Sequence, residues 1–290
     1  KFYIDLKAGQ INEIWKQHNE HRIVLSKLLF WVDYEFFGGK SAFLIFINYL
    51  LLSLGVFTLI QYTKKLAGKP NWDKSTLTFN FFLTGWIFSW VQHENIVWGF
   101  QSQFFLSVLL PLIAFFFLAS SIRNHNKVYF SLACIFGVLS AGTMANGILT
   151  LPLMVIFSLI SASSWYHRGI LTGLSIITVI AYFYGYHSPS HHPNILTSLT
   201  IAPYGTLKYL FYYLGSPFYS FLMNMGTIPK LSTLIAVSSV MLLIGSCAWL
   251  FVGQIRSGGK DSFILALLLF ISYVGGTALI TAGGRYEFGL

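Results

Sequence analysis

The chain has 290 residues, of which 55% are hydrophobic and only 9% charged, with a formal net charge of +9 and a mean hydropathy of +0.66. A soluble domain carries about 25% charged residues, so this composition excludes a water-covered globule and demands a lipid-facing surface. Lys and Arg are spread over short polar stretches instead of gathering on one face, which excludes a nucleic-acid partner and fits basic loops held on one side of a membrane.

Residues 1–40 read as an outer, periplasmic amphipathic loop. Inside it, His18-Asn19-Glu20-His21-Arg22 puts two imidazoles, a carboxylate and a guanidinium in five consecutive residues. A helix here places His18 on one face with His21 and with Arg22, and turns Glu20 elsewhere. A carboxylate beside imidazole can serve as a general base, and a guanidinium suits bidentate binding of phosphate. The plainer alternative is the solvated face of an interfacial helix that buries Trp15, Leu25 and Leu29. H-x-x-H with one nearby acid is not a recognised zinc spacing. No cofactor is certain from the residues, and a divalent metal (Mg or Mn) is the single candidate left open.

Residues 41–186 hold six apolar runs, near 41–61, 75–92, 100–121, 128–143, 148–163 and 169–186, and residues 231–290 hold two more, 231–252 and 262–282. Runs of about 17–25 apolar residues are the length that crosses a bilayer. The expected fold class is therefore all-α, a polytopic transmembrane bundle of about eight spans. The runs 128–143 and 148–163 are short, and Gly142, Asn146-Gly147 and Pro152 let two helices break and meet inside the protein. Residues 187–230 form an expected outer loop. Its first part, with His187, His191 and His192, is rich in turn formers, and its second is rich in Tyr and Phe. A helix over 207–223 is expected to lie on the membrane surface or re-enter it; a true span is the alternative. Cys134 and Cys247 both fall in apolar runs and indicate neither a disulfide framework nor a zinc site.

Orientation follows from the basic residues. With the opening loop outside, Lys64/Lys65/Lys69/Lys74, Arg123/Lys127, Arg168 and Arg256/Lys260 fall inside, while the short loops 93–99 and 143–147 carry no Lys or Arg. That is the positive-inside pattern. It leaves Asp5, Glu13, Glu20, Asp33, Glu35, Glu94 and Glu287 outside, with only Asp73 and Asp261 inside. Basic inner loops do not explain why carboxylates, imidazoles and amides gather on the outer edge. A site there does.

Three further stretches bring polar groups to that edge. In WVQHENIVWGFQSQ (90–103), His93, Glu94, Asn95, Gln101 and Gln103 are costly at membrane depth unless paired or wetted, whereas Trp90 and Trp98 are ordinary interface anchors. In SAGTMANGILTLP (140–152), Asn146 is the one strong polar group among small residues that also suit close helix packing. In GGRYEFG (283–289), Arg285 is a candidate phosphate clamp and Glu287 stands beside it. There is no P-loop, Rossmann fingerprint, HExxH or G-x-S-x-G, which argues against a cytoplasmic ATP- or nicotinamide-dependent enzyme. The chain opens at Lys1 without an initiator Met and stops just after a polar motif, so it reads as a segment of a longer protein.

Through Gly9, Glu20-His21-Arg22 and Phe37-Gly38-Gly39, about forty residues resemble the first outer loop of the GT-C superfamily of polytopic glycosyltransferases. Nearly the whole chain also resembles bacterial membrane proteins that carry HNEHR, ENxxWGFQ, MANG and GRxxFG stretches. These resemblances imply a GT-C-like fold in a bacterial inner membrane, with a site facing the periplasm. They further imply transfer of a sugar from a polyprenyl-phosphate donor to a glycan or lipid acceptor of the envelope. On that reading Asp5 or Glu20 is the catalytic base, and Arg22 and Arg285 face the leaving phosphate. His18, His21, His93, Glu94, Asn95, Gln101, Asn146 and Glu287 contact substrate. The family's acid follows its first span, so here it is Asp5 or lies before Lys1. The alternatives are a transporter or flippase for a lipid-linked glycan, and a non-catalytic scaffold of an envelope-synthesis complex.

Overall fold

The computed structural model describes residues 2–68, 73–161, 163–187 and 195–285. Among these the regular structure is helical. The chain order is α1 (Phe2–Lys7), α2 (Val24–Phe37), α3 (Ala42–Ala67), α4 (Lys74–Ile87), α5 (His93–Val97), α6 (Ser102–Asn124), α7 (Lys127–Ser140), α8 (Thr150–Ile160), α9 (Trp165–Phe183), α10 (Ile195–Ile201), α11 (Pro203–Asn224), α12 (Pro229–Arg256) and α13 (Ser262–Arg285). Short 3-10 turns lie at Ile11–Ile14, Trp90–Gln92, Gly99–Gln101 and Ala145–Leu149.

Four helical segments are long and apolar enough to cross a membrane on their own: Ala42–Ala67, Gly99–Asn124, Pro229–Arg256 and Ser262–Arg285. The other runs expected to span are helices too, but α4 and α7 have only 14 residues each and α8 has 11. At 1.5 Å per residue, 14 residues cover about 21 Å, short of a hydrocarbon core of about 30 Å.

Side-chain contacts fix how the helices run. The Tyr62 hydroxyl lies 3.5 Å from the Leu112 carbonyl, and Arg123 Nη1 donates to the Lys65 carbonyl, so α3 and α6 are parallel. Ser262 Oγ meets the Ala119 carbonyl and Tyr273 Oη the Ser107 carbonyl, so α13 runs antiparallel to α6. The Thr63–Asn80 bond pairs α4 antiparallel with α3. The core between them holds Tyr62, Leu112, Phe115, Phe157, Phe263 and Leu269, all nearly inaccessible.

One end of this bundle gathers the basic connections around Lys64/Lys65, Arg123, Lys127, Arg168 and Arg256/Lys260. The other end carries the opening segment. α2 ends on Gly38, whose left-handed φ of 71° closes the helix onto the Asp33 carbonyl. There Asp33 Oδ2 takes the Ser41 N–H and α3 begins. α11 lies across this same end. Ser198, at its entry, donates to the Gly283 carbonyl at the close of α13. Near its exit, Phe218 and Phe221 pack on Trp86 at the close of α4.

Candidate functional site

The sequence HNEHR is not helical, and this corrects the expected face-sharing of His18, His21 and Arg22. His18 and His21 exchange backbone hydrogen bonds of 2.8 and 2.9 Å across a two-residue turn. Asn19 takes φ 51°, a left-handed conformation that Asn tolerates better than most residues. The turn brings Glu20 and His21 side by side, where a helix would have turned Glu20 away. His21 Nε2 stands 3.4 Å from Glu20 Oε1, and Arg285 Nη2, on the last turn of α13, stands 4.0 Å from the same oxygen. The Glu20 carboxylate is 28% accessible.

His21 is fixed from the other side. Its Nδ1 accepts the Ala145 N–H at 3.2 Å, so the neutral ring carries its proton on Nε2 and presents it to Glu20. The Ala145–Leu149 turn is held in place by a chain of bonds that starts at a proline. Pro111 has no N–H to give the carbonyl four residues back, and Tyr273 Oη donates to that orphaned Ser107 carbonyl at 2.6 Å. With its hydrogen spent there, Tyr273 can only accept, as can Thr277, whose hydroxyl donates to the Tyr273 carbonyl. Asn146 therefore turns its Nδ2 toward both, at 2.9 and 3.1 Å, and its Oδ1 is buried with no hydrogen-bond partner. At Gly147 a Cβ would fall 1.8 Å from the Ser140 carbonyl oxygen, so only glycine fits. The MANG stretch thus places one backbone N–H against His21.

Arg22 does not join this cluster. It is 3% accessible, and its Nε, Nη1 and Nη2 donate to the carbonyls of Tyr182, Trp15 and Tyr184, each at 2.7 Å. Two of those carbonyls close α9, where unsatisfied C=O groups favour a cation. Its role in the fold is that of a helix cap, with all three guanidinium nitrogens on backbone carbonyls. Lys27, also buried, does the same for the carbonyls of Glu13 and Lys16, and burial lowers its pKa. Asp5 sits on α1, where its charge adds, after that of Glu13, to raising the Lys16 pKa, and among the described residues no hydrogen bond or ion pair joins it to Glu20.

The remaining candidates divide. His18 is exposed and packs its ring against Phe100, 5.8 Å between centroids, and Phe100 stacks on Phe30 of α2. This puts the Gly99–Gln101 turn beside the HNEHR turn. Asn48 hangs that segment from α3 by donating to the Ile96 and Trp98 carbonyls. His93 stacks on Trp90, and Glu94 and Asn95 are exposed on α5. None of these three makes a contact with Glu20. Gln101 and Gln103 each bury a side-chain oxygen without a partner. Glu287, His191 and His192 lie outside the described residues. Among the described residues no three His, Cys, Asp or Glu side chains assemble as a metal set.

Two tyrosines belong to the site that the sequence did not single out. Tyr182 and Tyr186 both direct their hydroxyls at the Glu20 carbonyl, at 3.4 Å. Burial and the nearby Glu20 charge raise the pKa of Tyr186, keeping it a donor. No helical spacing in the sequence could have found the pair, since α9 ends at Phe183 and Tyr186 lies past it. Gln17 completes the seam by bonding both the carbonyl and the N–H of His187. No protein-family model, curated protein or solved structure matches the chain.

Proposed function

We propose that the chain is the membrane-embedded part of a glycosyltransferase. It would move a sugar from a polyprenyl-phosphate donor to an envelope glycan or lipid on the outer side of a bacterial inner membrane, through a GT-C-like bundle crossing about eight times. The observation that supports this is the convergence on one carboxylate. Glu20 is flanked by His21 at 3.4 Å and Arg285 at 4.0 Å, groups contributed by segments more than 250 residues apart in sequence.

In this reading Glu20 takes the proton of the acceptor hydroxyl as its oxygen attacks the anomeric carbon. The bond from that carbon to the phosphate oxygen breaks, and the polyprenyl phosphate departs with the electron pair. Arg285, 57% accessible, supplies positive charge where the phosphate's charge develops. His21, held by Ala145, keeps the Glu20 carboxylate in position. Asn146 acts on the turn that holds His21, and Asp5 has no part in the step.

The test is transfer by purified protein in nanodiscs, using a panel of radiolabelled polyprenyl-phosphate sugars and lipid or glycan acceptors. Glu20→Gln is expected to lower turnover by more than about 100-fold with folding retained. Arg285→Gln is expected to lower it by about 10- to 100-fold. Full activity in Glu20→Gln would remove the base, and no transfer with any donor would remove the reading.

A further inference from the structure

The polar groups beneath the Glu20 turn include three oxygens that no donor meets. Asn146 Oδ1, Gln103 Oε1 and Thr150 Oγ1 are buried with no hydrogen-bond partner among the described residues. Gln103 is 4% accessible and Thr150 wholly inaccessible. Chemistry fixes which way Asn146 faces. Tyr273 and Thr277 have both spent their hydrogens on carbonyls, so the amide gives them its Nδ2 and turns its oxygen away from them.

The three residues meet at one level of the bundle. Tyr273 of α13 reaches the Ser107 carbonyl of α6. One turn toward the site end, the same face of α6 carries Gln103, and the antiparallel α13 carries Thr277. Asn146 is bonded to that Thr277. Leu149, next to Thr150, lies against α13 at the same height, where a Cβ on Gly276 would meet it at 3.3 Å. Thr277 precedes Arg285 by eight residues, about 12 Å along the helix axis. α13 is long and apolar enough to cross a membrane, and at that depth an oxygen without a partner is costly.

Three acceptors without donors specify a class of ligand. A water has two hydrogens to give, whereas one cation can be shared by all three oxygens. The oxygens are amide and hydroxyl, with no carboxylate among them, which suits a hard ion of single charge and not a divalent one. Membrane proteins hold Na+ on uncharged oxygens where helices are interrupted, as the chain is between α7 and α8. We propose that Gln103, Asn146 and Thr150 bind Na+, and that the ion fixes the turn whose Ala145 N–H holds His21. The inference does not depend on which reaction Glu20 performs.

Binding of radiolabelled Na+ to the whole chain in detergent, measured in choline chloride, tests it. Saturable binding is expected, displaced by unlabelled Na+. Gln103→Leu and Thr150→Val each remove one oxygen, and each is expected to weaken binding by about tenfold or more. Both also remove a buried oxygen that lacks a partner, so their unfolding midpoints in choline chloride should match or exceed that of the wild type. That separates loss of the ion from loss of the fold. Na+ should raise the wild-type midpoint and leave that of Gln103→Leu unmoved. No saturable binding by the wild type would assign the oxygens to water and overturn the proposal, as would wild-type affinity in either variant. A chain that binds Na+ and transfers no sugar would keep this site and lose the transferase.

Discussion

Arg22 illustrates how a residue that looks functional in sequence can be consumed by the fold. A guanidinium offers five donors in a rigid fork, and here three of its nitrogens are spent on the carbonyls of Trp15, Tyr182 and Tyr184. The charge sits over Trp15 at 5.2 Å and Tyr182 at 5.8 Å, shielded from water. Removing it leaves those carbonyls buried and unpaired. Arg22→Met should therefore cost about 3–5 kcal/mol, the range for breaking a buried charged interaction, and lower the unfolding midpoint in detergent by about 10 °C. Arg22→Lys should recover little of this, because one ammonium cannot reach three carbonyls on two segments. A midpoint within about 2 °C of wild type in both variants would mean that the cap carries no weight. Glu20→Gln should behave oppositely, with stability held and activity lost. The pair of measurements separates the two residues that the sequence presents as neighbours in one motif.

At the scale of elements, the proline in α6 is the clearest case of a local defect put to use. Pro111 frees the Ser107 carbonyl, Tyr273 fills it, and Tyr273 then orients Asn146. Tyr273→Phe should cost about 1–3 kcal/mol through the unsatisfied groups it leaves. Pro111→Ala should return most of that loss in the double variant, since residue 111 regains an N–H for Ser107. Thermal unfolding of the single and double variants checks it, and strictly additive losses would break the link. Helices of this kind were legible in sequence because apolar periodicity and length announce them: each of the eight apolar runs is a helix, and α11 matches the expected 207–223. What was not legible was whatever depends on a turn. Nothing in HNEHR distinguishes a helical face from a two-residue turn at Asn19, because both are compatible with its polar residues. The fates of Arg22 and Glu20 follow from that one backbone choice. The tyrosines at 182 and 186 were hidden because their partner is a backbone carbonyl, and its position is set by the same turn.

For the whole molecule, direction of travel constrains topology more tightly than hydropathy does. α3 and α6 are parallel, so the chain must return between them, and among the described residues α4 is the longest helix there. α6 and α12 both run toward the basic end, since Gly259, just past α12, packs against Ser161 at the close of α8. An odd number of returns must lie between them, which α7, α8 and α9 supply. The shorter helices thus join the two ends of the bundle, while four helical segments among the described residues are long and apolar enough to cross a membrane. Charge alone does not tell the two ends apart. Toward the site end Arg22 and Lys27 are buried on carbonyls and Lys7, Lys16 and Arg285 lie against carboxylates, but Lys40, Lys208 and Lys230 are exposed there, as Lys65, Arg256 and Lys260 are at the other end. Single cysteines in a background lacking Cys134 and Cys247 test the arrangement with a membrane-impermeant maleimide. Asn95→Cys and Tyr184→Cys should label together in intact spheroplasts, and His125→Cys, Ser164→Cys and Ser257→Cys only after permeabilisation. Labelling of Ser164→Cys together with Asn95→Cys would show that α8 does not cross. Labelling of Asn95→Cys and Tyr184→Cys from opposite sides would separate the segments that meet around Glu20 and His18, and no site common to them would survive.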